Sequence, residues 1–434
     1  MTPFGLLVRP LAPQGLLSLG DQLVVHACHH HALFLDQTVS DALGGEGWAV
    51  RRQAAFESAH ALIASFCSDF GVTDPVERLE LASELFTAMG HGRLTFDVTA
   101  EGGTVHGAAL HHGASFVEKY ATLLKNRRPV DAFTAGFISA AASLAYPSDW
   151  GTLEADETTC VAQLAARPPE CIFALTRRPE RPRFGAIVTR GLVEQLALPS
   201  GEEGDPVRHS LPPTPTPEAE LALTDLARLL HSAPVDHEGT TRAFGVRLAL
   251  VPVSYLGQIT YDTVHLVEKR APELFPLASA LVREAAQTGA FHLLGGILAS
   301  APWKAEHGPL AAEPEARLDT LLGLTRALGW GAFQATEFTP GEALVLAAKA
   351  THESAYYAVR HGTTVRNRLF FQQGLALALM QILQRVDFTA EDPVGRGVYD
   401  ALFKSGTRFH VDETRSSLRG DRVSEVVVTA MADR

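Results

Sequence analysis

Apolar residues at 48, 55, 59, 62, 63 and 66 recur at helical spacing and predict an amphipathic helix over Trp48–Phe66. Asp74-Pro75-Val76-Glu77 then reads as a helix start: Asp at the N-cap, Pro at the first helical position, Glu two residues on. Leu79, Ala82, Leu85, Phe86 and Met89 continue one face, and Gly90 ends it. The period then drops to two. Leu94, Phe96 and Val98 alternate as a half-buried strand, Gly102-Gly103 turns the chain, and a second strand is predicted near Thr104–Leu110. Helices near Ala114–Leu124 and Ala132–Ala145 follow, the latter rich in Ala and Gly and suited to close packing. Strands near Leu153–Asp156, Ile172–Thr176 and Phe184–Thr189 complete the unit. Helices flanking an antiparallel sheet predict an α+β fold.

The pattern then recurs. DPVERLELASELFTAMGHGRL around Pro75 is matched by EPEARLDTLLGLTRALGWGAF around Pro314, an offset of 314 − 75 = 239 that runs without a gap for about forty residues. Arg78/Arg317, Leu79/Leu318, Gly90/Gly329, Gly92/Gly331, Gly102/Gly341, Ala108/Ala347 and Ser115/Ser354 are among its pairs. A second block, ADETTC (Ala155–Cys160) and VDETRS (Val411–Ser416), is offset by 412 − 156 = 256, which places an insertion of about seventeen residues near Asp387–Gly406 of the second copy. Three segments follow: a first copy over 1–197, a Pro-rich linker over 198–218 with a helix after it near Ala219–His231, and a second, degenerate copy over 219–434. The offset predicts matching strands at Leu94–Val98 and Phe333–Glu337.

Composition narrows the function classes. At 434 residues each copy is long enough to bury a core, and 46% apolar with 20% charged residues is ordinary for a globular chain. A net charge of −12 argues against a nucleic-acid footprint and against adsorption to an anionic membrane. No apolar run is long enough to span a bilayer, the first residues do not form a signal peptide, and the four cysteines are too sparse to staple the chain; a cytoplasmic setting is expected. All four, Cys28, Cys67, Cys160 and Cys171, lie in the first copy.

AGFISAAASLAY (Ala135–Tyr146), LEADETTCVAQ (Leu153–Gln163) and ECIFAL (Glu170–Leu175) follow one another in an order that resembles the 4-vinyl reductase domain family: a small-residue helix, a strand bearing E-x-x-C, and a Cys opening a short strand. The resemblance implies a bacterial small-molecule-binding domain for an apolar or aromatic ligand, often a homodimer. In related sensor modules three cysteines and one glutamate hold zinc near the ligand pocket. Glu157, Cys160 and Cys171 map onto that pattern; the upstream cysteine expected near Arg127–Ala135 is absent, and the second copy carries Glu413, Ser416 and Ser424.

The densest chemical signal is VVHACHHHALFLDQT, Val24–Thr38. His26, Cys28, His29 and His30 are potential ligands for zinc or iron, with Asp36 as a carboxylate ligand or its support. On a helix His26 and His30 share a face, with His29 beside them; on a strand His26, Cys28 and His30 do, so either geometry predicts convergence. The second copy offers only His265 here, and the plain alternative is an incidental or structural His run. Two functional expectations result: a small-molecule-binding protein acting through the first copy, or a metalloenzyme (hydrolase, lyase or oxidoreductase) built on His26–His31. A dimeric scaffold is the third.

Overall fold

The two halves of the chain build two four-stranded antiparallel sheets of identical strand order and share a five-stranded sheet. In this computed structural model the described residues are 8–11, 14–120, 129–148, 151–163, 170–179, 216–233, 235–308, 310–404 and 408–431. The first half opens with β1 (Val8–Leu11), β2 (Leu16–Leu19) and β3 (Gln22–Cys28), then α1 (His29–Leu43), α2 (Glu46–Phe70) and α3 (Pro75–Ala88). β4 (Arg93–Thr99), β5 (Gly102–Ala108), α4 (His111–Tyr120), α5 (Ala132–Ala145), β6 (Thr152–Thr159) and β7 (Cys171–Arg178) complete it. After α6 (Pro217–Ser232), the second half runs β8 (Thr241–Ala243), β9 (Val246–Pro252), α7 (Val253–Arg270), α8 (Phe275–Ala299), α9 (Ala301–His307) and α10 (Pro314–Ala327). It ends with β10 (Gln334–Thr339), β11 (Ala343–Ala348), α11 (His352–His361), α12 (Phe370–Arg385), α13 (Arg396–Lys404), β12 (Phe409–Arg415) and β13 (Ser424–Ala430). The sheets order β4-β5-β7-β6 and β10-β11-β13-β12, every pairing antiparallel, so the fold is α+β as the alternation predicted.

Local chemistry explains the boundaries. The Asp74 carboxylate accepts from the Val76 and Glu77 amides and caps α3. α5 spans Ala132–Ala145, as its small residues predicted, because Gly136 lies against α2: a Cβ there would stand 2.3 Å from the Arg52 carbonyl oxygen and 2.6 Å from Ala55 Cβ. A Cβ added to Gly374 on α12 would likewise crowd the Arg283 carbonyl oxygen and Ala286 Cβ on α8. α13 lies inside the segment read as an insertion. The strand expected at Phe184–Thr189 and the linker as far as residue 215 lie outside the described residues; Thr216 already caps α6, and Pro217 and Glu218 are its first turn rather than linker.

The sequence offset needs one correction. It is 239 through the end of α3 and α10, but 348 − 107 = 241 from the second strand on, because Gly107 and Ala348 face Cys171 and Ser424 in their sheets. One extra residue is a bulge at Ala335/Glu337 and the other lies in the β10–β11 turn, so Gly102/Gly341, Ala108/Ala347 and Ser115/Ser354 slip by two.

Sheet order β1-β2-β3-β9-β8 joins the halves, with Val24 opposite Pro252 and Cys28 opposite Leu248. Each central strand also reaches the other half's helix end: the His26 amide donates to Leu328 O at 3.0 Å and the Leu250 amide to Met89 O at 2.8 Å. Because 328 − 89 = 239, His26 and Leu250 hold equivalent places, offset by 250 − 26 = 224. Among the described residues no helix is long and apolar enough to cross a membrane.

Candidate functional site

The His run assembles no group of three donors among the described residues, although the His29 and His30 rings lie 4.1 Å apart, because the chain changes from strand to helix between Cys28 and His29 and neither predicted geometry applies throughout. The Cys28 Sγ donates to Gly289 O at 3.5 Å. His29 Nδ1 accepts the Arg247 amide at 3.1 Å, so the remaining ring nitrogen carries the proton and offers no lone pair. His30 stacks on His292 with centroids 3.8 Å apart, and burial first, then His292, depresses its pKa. His26 belongs to the shared sheet, where burial lowers its pKa to about 4. His265 lies on α7; at the offset of 224 its counterpart is Asp41, outside the run.

What the fold does assemble is Glu157, Cys160 and Cys171, whose donor atoms lie within 4.8 Å of one another, all buried. It is the group of that kind found among the described residues. A bulge between Glu157 and Thr159 turns the end of β6, and the Cys171 sulfur accepts the Val161 amide at 3.4 Å. Glu157 Oε2 accepts the Asp131 amide at 3.0 Å at the start of α5, the Cys160 side chain bonds to the Glu157 carboxyl, and Asp131 Oδ2 is buried with no partner among the described residues. Burial, then the nearby Cys160 and Asp131, push the Glu157 carboxyl well up. The Cys171 thiol hydrogen-bonds the Cys160 sulfur, which brings Cys160 down to about 7 and raises Cys171. Two thiols and a carboxylate in a buried corner are a donor set suited to zinc.

Asp36 lies close by but in a different constellation. His112 Nδ1 stands 3.0 Å from Asp36 Oδ2 and Arg51 Nη1 3.4 Å from the same atom. Arg51 is itself fixed by Gly47 O and Ser40 Oγ. Burial opposes ionisation of Asp36, but Arg51 and the His112 hydrogen bond outweigh it and hold the carboxyl low. Burial likewise opposes charge on His112, yet the Asp36 bond raises its pKa above the usual value. Phe133 flanks His112 and stacks on His91, and Tyr255 from the second half meets Phe133 edge-on at 4.8 Å. His91 Nε2 donates to Leu250 O at 2.9 Å, so the second half also fixes the ring in the G-H-G turn.

Asp36, Arg51 and His112, joined by their polar contacts, line a cavity of about 630 Å³ together with the apolar Leu33, Trp48, Phe116 and Val130 and with Glu157. Its polar corner was legible only as Asp36; Arg51 and His112 carried no motif, and the spacing of three separate helices gave no signal that they meet.

The second half fills the same place. At the offset of 224 Asp36 corresponds to Thr260; the paired glycine contacts give 283 − 52 = 231 and set Val282 at Arg51. The amides of His111 and His352 donate to His91 O and Trp330 O, so 352 − 111 = 241 and Glu353 stands at His112. Thr260, Val282 and Glu353 enclose about 30 Å³, crowded by Tyr261, Tyr356 and Phe371. Glu413 matches Glu157, with the same bulge beside it, and its Oε2 accepts the Arg368 and Leu369 amides. Ser424 accepts the Ser417 amide at 3.2 Å where Cys171 accepts that of Val161.

No family model matches the chain, and no curated protein matches it. Among solved structures, the phenol-responsive sensory domain of the transcription activator PoxR, determined with phenol, is similar at 19% identity and a TM-score of 0.33, covering 40% of this chain and 86% of that one.

Proposed function

We propose that the first half binds a small, apolar-bodied aromatic molecule carrying a hydroxyl group, and that Glu157, Cys160 and Cys171 hold zinc beside it, as in 4-vinyl reductase-type sensor modules. The observation that carries the ligand reading is the cavity of about 630 Å³ with the Asp36–His112 pair in one wall. That volume falls within the ordinary range of small-molecule pockets, about 300–1,000 Å³. Leu33, Trp48 and Phe116 offer a ring apolar contact, and His112 Nε2 is the ring nitrogen left for a ligand once Asp36 occupies Nδ1. A hydroxyl suits either protonation state of that imidazole, since it can donate or accept. A carboxylate suits the site less well: Asp36, Asp156 and Glu157 line it, and Arg51 is already engaged. The test is calorimetric titration with phenol, benzoate and cyclohexanol. Saturable binding of phenol with benzoate and cyclohexanol at least about tenfold weaker supports the reading; equal affinity for all three, or none, removes it.

Zinc chemistry would supply structural closure of this corner: bound thiolates and carboxylate would tie the end of β6 to the start of β7 and, through the Glu157–Asp131 bond, to the start of α5. Metal analysis of the purified chain tests this, with one zinc per chain expected. A metalloenzyme is a second reading, favoured by Glu157 belonging to both the donor group and the cavity wall. Recovery of the bound aromatic unchanged after prolonged incubation with zinc-loaded protein counts against it.

A further inference from the structure

We propose that Cys160 and Cys171 are a redox pair, forming a disulfide when the corner they share is free of metal, so that bound zinc and the disulfide exclude each other. The zinc half of this statement rests on the proposed function above; the disulfide half rests on the hairpin alone. β6 and β7 pair antiparallel, and Thr159 stands opposite Ile172. The strand pairing ends there, and continuing its register by one step (159 + 172 = 160 + 171) would set Cys160, just past β6, opposite Cys171 at the start of β7. Directly opposed residues on antiparallel strands have Cα atoms about 4.5–5.5 Å apart, inside the span of about 4.4–6.8 Å that a disulfide accepts. The two sulfurs are already within 4.8 Å of each other, and both are buried. Neither Cys28 nor Cys67 joins that group, and Cys28 is held to the Gly289 carbonyl.

The reaction balances with a hydroperoxide as oxidant. One sulfur attacks the peroxide oxygen, the O–O bond breaks, and a sulfenic acid forms with loss of water. The second thiol attacks that sulfur, the S–S bond forms and a second water leaves. Two thiols lose two protons and two electrons, and one hydrogen peroxide is reduced to two waters. Zinc blocks the sequence by occupying the sulfur lone pairs that would attack. Closing the bond also withdraws two of the three donors from the corner, leaving Glu157 alone at the cavity wall. The second half supplies an internal contrast, with Ser416 and Ser424 in the same frame and no redox chemistry.

The experiment uses the full chain, stripped of metal with a chelator and exposed to hydrogen peroxide, with and without prior addition of zinc. Intact mass should fall by about 2 Da, and non-reducing peptide mapping should join Cys160 to Cys171. Zinc should slow that loss at least about tenfold. Cys171→Ser should abolish it and leave Cys160 as the sulfenic acid. Zinc bound at one per chain with no 2 Da loss from the stripped protein overturns the proposal while leaving the metal reading intact. A Cys160–Cys171 disulfide forming equally fast with zinc present overturns the exclusion and counts against zinc at these sulfurs. A bridge to Cys28 or Cys67 in place of this pair overturns the proposal outright.

Discussion

The two halves carry the same frame and differ in what fills it. At one corner the first half sets Asp36, Arg51 and His112 around a cavity of about 630 Å³; at the equivalent places the second half sets Thr260, Val282 and Glu353 around about 30 Å³, room for roughly one water. At the other corner Cys160 and Cys171 stand where Ser416 and Ser424 stand, with the same β6-type bulge and the same amide-to-side-chain bond. Residues held in common account for the fold, and the residues that differ set what each corner can hold. The second half is no idle copy, because Leu250 and Tyr255 complete the walls around His91 and Phe133.

The comparison can be broken where the frame is tightest. Gly136→Val and Gly374→Val should each cost about 3 kcal/mol, because the added side chain meets backbone of a neighbouring helix that cannot move aside; chemical denaturation reads this. A small effect at Gly374 with a large one at Gly136 would show that the frames are not equivalent.

Acid comes next. Burial lowers His29, His31, His292 and His352 to about 4 and His91 to about 3, from the ordinary 6.5 of a free imidazole. The unfolded chain binds protons at these sites before the folded one does. Their contribution is complete above about pH 6.5 and is lost as pH falls toward 4, by about 1 kcal/mol per histidine for each pH unit. Thermal melts from pH 7.5 to 5 should show a steep fall, and a flat profile contradicts the buried, neutral assignment. His112 runs the other way: with its pKa raised, its contribution is full below about 6.5 and fades as pH rises through the folded value.

The smallest expected effect is the most informative about the metal corner. Cys160→Ser with Cys171→Ser should change the stability of the metal-free chain by about 1 kcal/mol or less, since serine makes the same bond at Ser424. The same double change should abolish zinc binding. A large loss of metal-free stability would mean that the thiols serve packing.

Elements and repeat were legible because they rest on local periodicity: Asp74 capping α3, the alternation of β4, the small residues of α5 against α2. Glu157, Cys160 and Cys171 were singled out through the family resemblance, and the β6–β7 hairpin brings their donor atoms within 4.8 Å of one another. The His run misled because spacing was read on one uniform element, whereas β3 becomes α1 inside it. Arg51 and His112 were not legible at all, since they reach Asp36 from α2 and α4 and only the tertiary fold brings them together. The offset of 239 hid the two-residue slip because a bulge and a longer turn leave the flanking alternation intact.

The central claim, that one half binds and the other is filled, is tested most directly by calorimetric titration of phenol into the wild-type chain, His112→Ala and Glu353→Gln. One site per chain is predicted for the wild type, affinity at least about tenfold weaker in His112→Ala, and affinity unchanged in Glu353→Gln. Two sites per chain, or a loss in Glu353→Gln with His112→Ala unaffected, would contradict it.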